Sequence, residues 1–495
     1  MNRARQHNDH YGLQRRLAVA AAALLLLAPA LGTEHFVQPA APASVLAGPW
    51  GTYHKPFAVD SLWNSRPVNP VLGAATIPKS NYFPRVGGGK YSLEVFLAAA
   101  DDPPVTVRGL PGRKGVWDPD WEAFRESITV PRWPRGVTPA EGRDGHADIV
   151  DATTGIVHSF NMLRFQAGQW IAGQYAWTRI DGRGWGDPAH YFQGARAAGV
   201  PAMGGLIRKH EVRDGDVQYR HALAVSLTFN ALASNPAYVF PATSADRTAS
   251  RNTGTIPEGA LLMLPASFDT ASIGNAELRK VARTLMTYGA YVVDRNVGTP
   301  FNIYVENGAD FNLHGRGHWD AAAANDLQRI RAALRPVVAA DGWLDANGRA
   351  FTPDRNLNLL SMRGPWIVRA GSGSGQFDSW AQALVFPQTA TRIVQVARSA
   401  RSMHPVSWAK PAAGVEYRLT ALATGGARLR LRLRDMTTGK DLVDSGELAD
   451  GATTIFPWPN RPVIPVLEAI SGTDQKSSVS GTLAAVDPIE QRRAQ

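Results

Sequence analysis

The stretch ARLRLRLRD, Ala427 to Asp435, decides the class of fold. Its residues alternate strictly: Leu429, Leu431 and Leu433 share one face, and Arg428, Arg430, Arg432 and Arg434 share the other. That two-residue period belongs to a β-strand with one buried side. Outward from it, Trp366 to Pro488 reads as strands and turns, with a Gly/Ser-rich link at Gly371 to Gly375. A C-terminal β-sandwich is predicted over 360–488, a fold that suits a carbohydrate-binding module. Upstream, Val217, Tyr219, His221, Leu223, Val225, Leu227 and Phe229 alternate in the same way and predict one long strand. HADIVDATTGIVHSF, His146 to Phe160, predicts a hairpin turning at Ala152 to Gly155, where glycine admits positive φ. Further strands are expected near Ala237 to Phe240, Gly259 to Leu264 and Ala290 to Asp294.

Helices are few. Leu278, Val281, Leu285 and Met286 form one stripe, with Gly289 as its C-terminal stop. Asp320 is the expected N-cap of a second helix, which carries Leu327, Ile330 and Leu334 and ends at Pro336. A short helical stretch is also expected near Tyr91 to Ala100. The reading is a mainly β domain, β-sandwich or jelly-roll-like with a few helices, over 49–355, followed by the C-terminal sandwich.

The N-terminus reads as an export signal over 1–30. Arg3, Arg5, Arg15 and Arg16 precede the apolar run Leu17 to Ala30, which is too short to span a bilayer, and Ala28-Pro29-Ala30 offers a cleavage site. The general secretory route fits better than the twin-arginine route, because the residues around Arg15-Arg16 match the latter weakly. Residues 31–48 form an Ala/Pro-rich leader. No later segment is apolar enough to be a transmembrane anchor. The expected location is secreted, extracellular or periplasmic.

With no cysteine among 495 residues, disulfides, thiolate metal sites and a cysteine nucleophile are excluded. The net charge of +10 includes four arginines and one aspartate within 1–30, so signal removal leaves about +7. A basic exported surface suits anionic partners, and an anionic polysaccharide is the one expected. No nucleic-acid motif is present.

PFAVDSLWN (Pro56 to Asn64), DGHADIVDATTG, GLIRKHEVRDGDVQYRHAL (Gly205 to Leu223), YVFPAT, IPEGALLMLP and LMTYGAYVVDRN (Leu285 to Asn296) follow one another in order. This series, covering roughly Pro56 to Asn307, resembles a family of exported bacterial proteins to which no function is assigned. It implies kinship and transfers no activity. A Trp-rich insertion before Gly136 and the C-terminal sandwich depart from the simpler members.

Two constellations could carry chemistry. Asp144, His146, Asp148 and Asp151 cluster at the hairpin, where His146 and Asp148 point the same way in a strand; a His–carboxylate pair suits acid–base work, part of a divalent-metal site is a second reading that one His and loose carboxylates support weakly, and turn hydrogen bonds are the plain alternative. The second is Gly205 to Leu223. Arg208 and Glu211 lie three apart in a short helical turn ended by Gly215, close to a strand bearing Tyr219 and His221. An arginine that neutralises a uronate carboxylate, with His or Tyr accepting a proton, is what β-elimination needs. Paired carboxylates would instead serve glycoside hydrolysis. The alternatives are a core histidine and an Arg208–Glu211 ion pair on a solvated turn, with Lys209, His210 and Arg213 facing solvent. Asp294 and Glu306 end strands, where sites collect or caps form.

No metal site is predicted. His314 and His318 are four apart, but Gly315 and Gly317 break the helix that zinc spacing would need. No cofactor is expected, with a divalent cation as the exception to be tested. The arginine ladder, Arg428, Arg430 and Arg432 above all, is the candidate contact for an anionic glycan, unless Asp435 or Asp441 neutralises it. Trp117, Trp121, Trp133 and Trp185 sit in turn-rich segments where indoles stack on sugars or fill a core.

The reading of function is a secreted polysaccharide lyase or glycoside hydrolase acting on an extracellular acidic polysaccharide. Its expected catalytic residues are His146, Asp148, Arg208, Glu211, His221 and Asp294, with Tyr219 contacting substrate. The alternative is a non-enzymatic surface protein that binds envelope or host glycans.

Overall fold

The computed structural model describes residues 48–314, 319–397, 402–403 and 406–486. The expected signal over 1–30 lies outside the described residues, as does the leader over 31–48 save Gly48. The protein is mostly β, with several sheets and two α-helices among the described residues.

Four layers stack in the N-terminal region. The outermost is a four-stranded sheet ordered Arg164–Gln166, Gln169–Ala172, Val105–Gly109, Ser127–Val130. It packs on a six-stranded sheet ordered Val95–Ala98, Ala147–Asp151, Ile156–Asn161, Gln174–Arg179, Val116–Asp118, Ala123–Arg125. Val107, Ile128 and Val130 meet Ile149, Phe160 and Trp177 between them. The expected hairpin is the centre of this second sheet, with Gly155 at φ 70° in its turn.

The third layer is a seven-stranded mixed sheet. At its centre Leu223–Thr228 runs parallel to Ala290–Asn296 and antiparallel to Phe301–Tyr304. Leu223, Val225 and Leu227 face the helices Ala276–Thr287 and Ala321–Ala333, the fourth layer. Asn275 and Asp320 cap those helices, the second as the sequence predicts. The opposite face carries the small Ala222 and Ala224, which leave room for Trp63 and Trp185. Those indoles stack at 4.9 Å between the two larger sheets, and each such buried side chain is worth roughly 1.5–3 kcal/mol.

Three expectations need correction. Ala237 to Phe240 is not a strand but a loop in which Tyr238 makes an isolated bridge to Glu258. The long strand over Val217–Phe229 is only Leu223–Thr228, with Val217 and Phe229 exposed. Before Leu223 the backbone is tied elsewhere, Tyr219 N donating to Thr284 Oγ1 at 2.8 Å and Ala222 N to Trp63 O at 2.7 Å. The helical stretch near Tyr91–Ala100 is instead the strand Val95–Ala98, held by parallel pairing to Asp148–Asp151. Tertiary partners override local preference there.

The C-terminal region is built from a pair of five-stranded sheets that face each other. Arg428–Asp435 sits between Val463–Ile470 and Asp441–Asp444, with Leu429, Leu431 and Leu433 fully buried against the facing sheet.

Candidate functional site

After Ile207, which bridges Val305, the chain makes one 3₁₀ turn, Lys209–Glu211. Glu211 folds back, its Oε2 accepting from Arg208 N at 2.8 Å, and its carboxylate lies 3.2 Å from His221 Nε2. The other imidazole nitrogen, Nδ1, donates to Ala222 O at 2.8 Å. Both nitrogens of His221 therefore face acceptors, an arrangement only the imidazolium satisfies. Burial opposes that charge, but Glu211 outweighs it and raises the His221 pKa. Burial likewise pushes Glu211 up, and His221 reverses this, bringing the carboxyl down to about 2.

Arg208 is buried and points away from Glu211. Its Nε donates to Glu306 Oε2 at 2.9 Å, its Nη1 to Tyr53 O at 3.0 Å, and its guanidinium lies 4.5 Å from the Tyr53 ring centroid. Its Nη2 is buried without a partner. A buried guanidinium nitrogen left open is costly unless something fills the place.

Arg208, Glu211 and His221 line a small pocket of about 30 Å³, together with His54, Lys55 and Arg220. At ~10–15 Å³ per water that volume suits a group the size of a carboxylate, not a sugar ring. Lys55, Arg208, Arg220 and His221 face Glu211 together with Glu306 and Asp216, the partners of Arg208 and Arg220, so the wall keeps a net positive charge. His54 differs from His221. Among the described residues no hydrogen bond engages its ring, which packs edge-on to His210 at 4.8 Å. Partial burial, and then Arg208, lower its pKa, so it stands neutral with a free lone pair.

No protein-family model matches the chain, and no curated protein matches it. Several solved structures share a portion of it. The Glycosylation Associate Protein (Gap123) complex from Streptococcus agalactiae matches at 11% identity over 25% of this chain and 45% of that one, TM-score 0.18. The enzymatically active domain of bacteriophage CBA120 tailspike protein 4 matches at 10% over 24% and 19%, TM-score 0.16. The family 29 carbohydrate-binding module CBM29-2, in a mutant form, matches at 10% over 26% and 95%, TM-score 0.15. The chain thus spans less than half the length of the first two. Likeness at these TM-scores carries no argument about this protein.

The structure brings Arg208, Glu211 and His221 together but leaves the other expected residues elsewhere. His146 is fully buried, with Nδ1 3.3 Å from Phe160 O, and burial drops its pKa to about 3. Asp148 lies behind the pocket wall, where its Oδ2 accepts from Met203 N at 2.7 Å and burial raises it to about 6. Asp294 pairs with Arg196 at 3.2 Å, while burial and the neighbouring Asp246 push it to about 7. Tyr219 turns into the helix-facing core against Lys280, not toward the pocket. Arg208 and Glu211 do not pair with each other, each having a different partner.

Carboxylates of the same sheet answer the arginine ladder. Arg430 pairs with Asp444, Arg432 with Glu468 and Asp441, and Arg434 with Asp441; Arg428 is exposed. Among the described residues no three His, Asp or Glu side chains gather as metal ligands, and His318 lies outside them. No helix of the described residues is long and apolar enough to cross a membrane.

The sequence reading missed His54. It sits in the turn-rich GTYHKPF, Gly51 to Phe57, which has no periodicity. The one available signal was its crowding of Tyr53, His54 and Lys55 into three successive positions.

Proposed function

We propose that the protein is an exported carbohydrate-active enzyme that cleaves a uronate-containing polysaccharide by β-elimination. Two observations support this reading: the Nη2 of Arg208 is buried without a partner, and Arg208 is one of the residues lining a small, carboxylate-sized cationic pocket. Arg208 receives the uronate carboxylate, and the His221 imidazolium, fixed by Glu211, places positive charge where the enolate-like intermediate develops negative charge. His54 takes the proton from C5. The C–H electron pair becomes the C4–C5 double bond, the C4–O bond breaks, and the leaving oxygen receives that proton back from the imidazolium form of His54. Hydrolysis fits less well. It requires a carboxylic acid held protonated, whereas Glu211 is held ionised near 2 and Glu306 is bound by Arg208.

Incubation of the protein with polygalacturonate, alginate or hyaluronan tests the proposal, following ultraviolet absorbance of unsaturated ends and, separately, new reducing ends. Both should rise with one of the three, and His54→Ala should abolish both. Reducing ends without absorbance would make the protein a hydrolase, and silence with all three substrates would remove the lyase reading.

A further inference from the structure

Glu306 has two neighbours. Its carboxylate holds Arg208, and its chain also borders a larger open cleft of about 680 Å³. That volume lies within the range that takes a drug-sized ligand, such as a disaccharide stretch of polymer. Three of its lining side chains are large, aromatic and exposed: Tyr82 at 64%, Phe83 at 41% and Trp319 at 60%. Exposed aromatics gathered in one concave place mark a binding surface more often than scattered ones do.

The rings are held in place. Trp319 stacks on His314 at 4.6 Å and 18° and meets Phe83 at 5.2 Å. Tyr82 lies against Gly298, where an added Cβ would come within 3.0 Å of the ring, and Tyr82 N donates to Ser80 Oγ at 3.0 Å. Polar groups intersperse them. Asn307 uses its Oδ1 to accept from Gly89 N at 2.7 Å, and no described contact engages its NH₂. No carboxylate pairs with Arg85 among the described residues. Flat apolar faces, an amide donor and one cation suit a sugar ring's C–H face, its hydroxyls and its carboxylate respectively.

We infer that this cleft binds neighbouring sugar rings of the same acidic polysaccharide, stacking them on Tyr82, Phe83 and Trp319 with Arg85 meeting a carboxylate. It deepens the lyase reading and rests on it for the acidic character of the chain. The binding free energy gained here orders the chain before its uronate enters the pocket.

Electrophoresis through native gels cast with polygalacturonate, alginate or hyaluronan tests the inference. Wild type should be retarded by at least one of them. Trp319→Ala and Tyr82→Ala should each weaken retardation on the order of tenfold, with the thermal midpoint unchanged because both rings are exposed. Arg85→Gln should weaken binding and flatten its salt dependence. His54→Ala should bind as wild type does while losing cleavage. The inference is overturned if no gel retards wild type, or if the aromatic variants bind like wild type. It is equally overturned if Trp319→Ala abolishes a concentration-dependent dimer, which would give the cleft to a second copy. Cleavage that ignores Trp319 and Tyr82 removes the cleft alone, whereas retardation without cleavage removes the lyase reading alone.

Discussion

Glu211→Gln perturbs the site at its buried charge pair while keeping side-chain size. The Glu211 carboxyl is brought from 4.5 to about 2 because His221, its hydrogen bond, His210 and the Arg208 backbone N–H together outweigh burial. A displacement of that size corresponds to about 3 kcal/mol, at ~1.4 kcal/mol per pH unit. The sign differs for the two partners. Glu211 titrates lower when folded, so its contribution is present above pH 4.5 and is lost as pH falls toward 2. His221 titrates higher when folded, so its contribution is full below 6.5 and disappears as pH rises through its folded value. Both act together between 4.5 and 6.5. Urea unfolding at about pH 5.5 should therefore show Glu211→Gln destabilised by about 3 kcal/mol, and at about pH 9 by clearly less. In the variant the His221 resonance, assigned by its loss in His221→Gln, should titrate below 6.5 and no longer above it. A loss under about 1 kcal/mol, or one of equal size at both pH values, would refute the ion pair as the source of order in the pocket.

The pH–rate profile of cleavage should be bell-shaped. Activity rises as His54 loses its proton, below 6.5, and falls as His221 loses its charge, above 6.5; a single rising limb would count against the imidazolium's role. Arg208→Lys keeps the charge but cannot hold Glu306, Tyr53 and a carboxylate at once. It should lower kcat/KM on the order of a hundredfold, and a loss of only a few-fold would displace Arg208 from the reaction. Gly205→Ala forces a Cβ at φ 66° to within 2.5 Å of Trp63 Cζ3 and 2.6 Å of Ala224 N. Its thermal midpoint should report a cost above about 2 kcal/mol. Glu468→Gln leaves Arg432 and Arg369 short of their shared carboxylate and should cost about 3 kcal/mol in urea.

Sequence alone revealed the elements whose periodicity a single buried face imposes. Leu429, Leu431 and Leu433 alternate because one sheet covers them, and the Leu278 stripe repeats because one helix face is covered. The strand at Leu223–Thr228 defeated that logic. It is buried on both sides, so alternation says nothing about where it starts, and apparent continuity upstream through Tyr219 was misleading. Half of the site was legible, because Arg208, Glu211 and His221 lie within fourteen residues of one another. His54 was not, because Arg208 reaches the Tyr53–His54 segment across 155 positions through a loop whose conformation no period encodes. His146 and Asp148 pointed the same way, as the strand requires, but into the interior.

The Glu306 carboxylate accepts from Val95 N, Lys209 N and Arg208 Nε at once. Two remote segments, at Val95 and at Arg208–Lys209, thus depend on the reach of one side chain, and aspartate is a methylene too short to serve both. If the protein acts on a polysaccharide as proposed, a library aimed at a different preference should therefore freeze position 306 and randomise Tyr82, Phe83, Asn307 and Trp319. Under the proposed lyase reading, variants drawn at those four sites would change which chain is gripped while the guanidinium proposed to meet its carboxylate stays where it is.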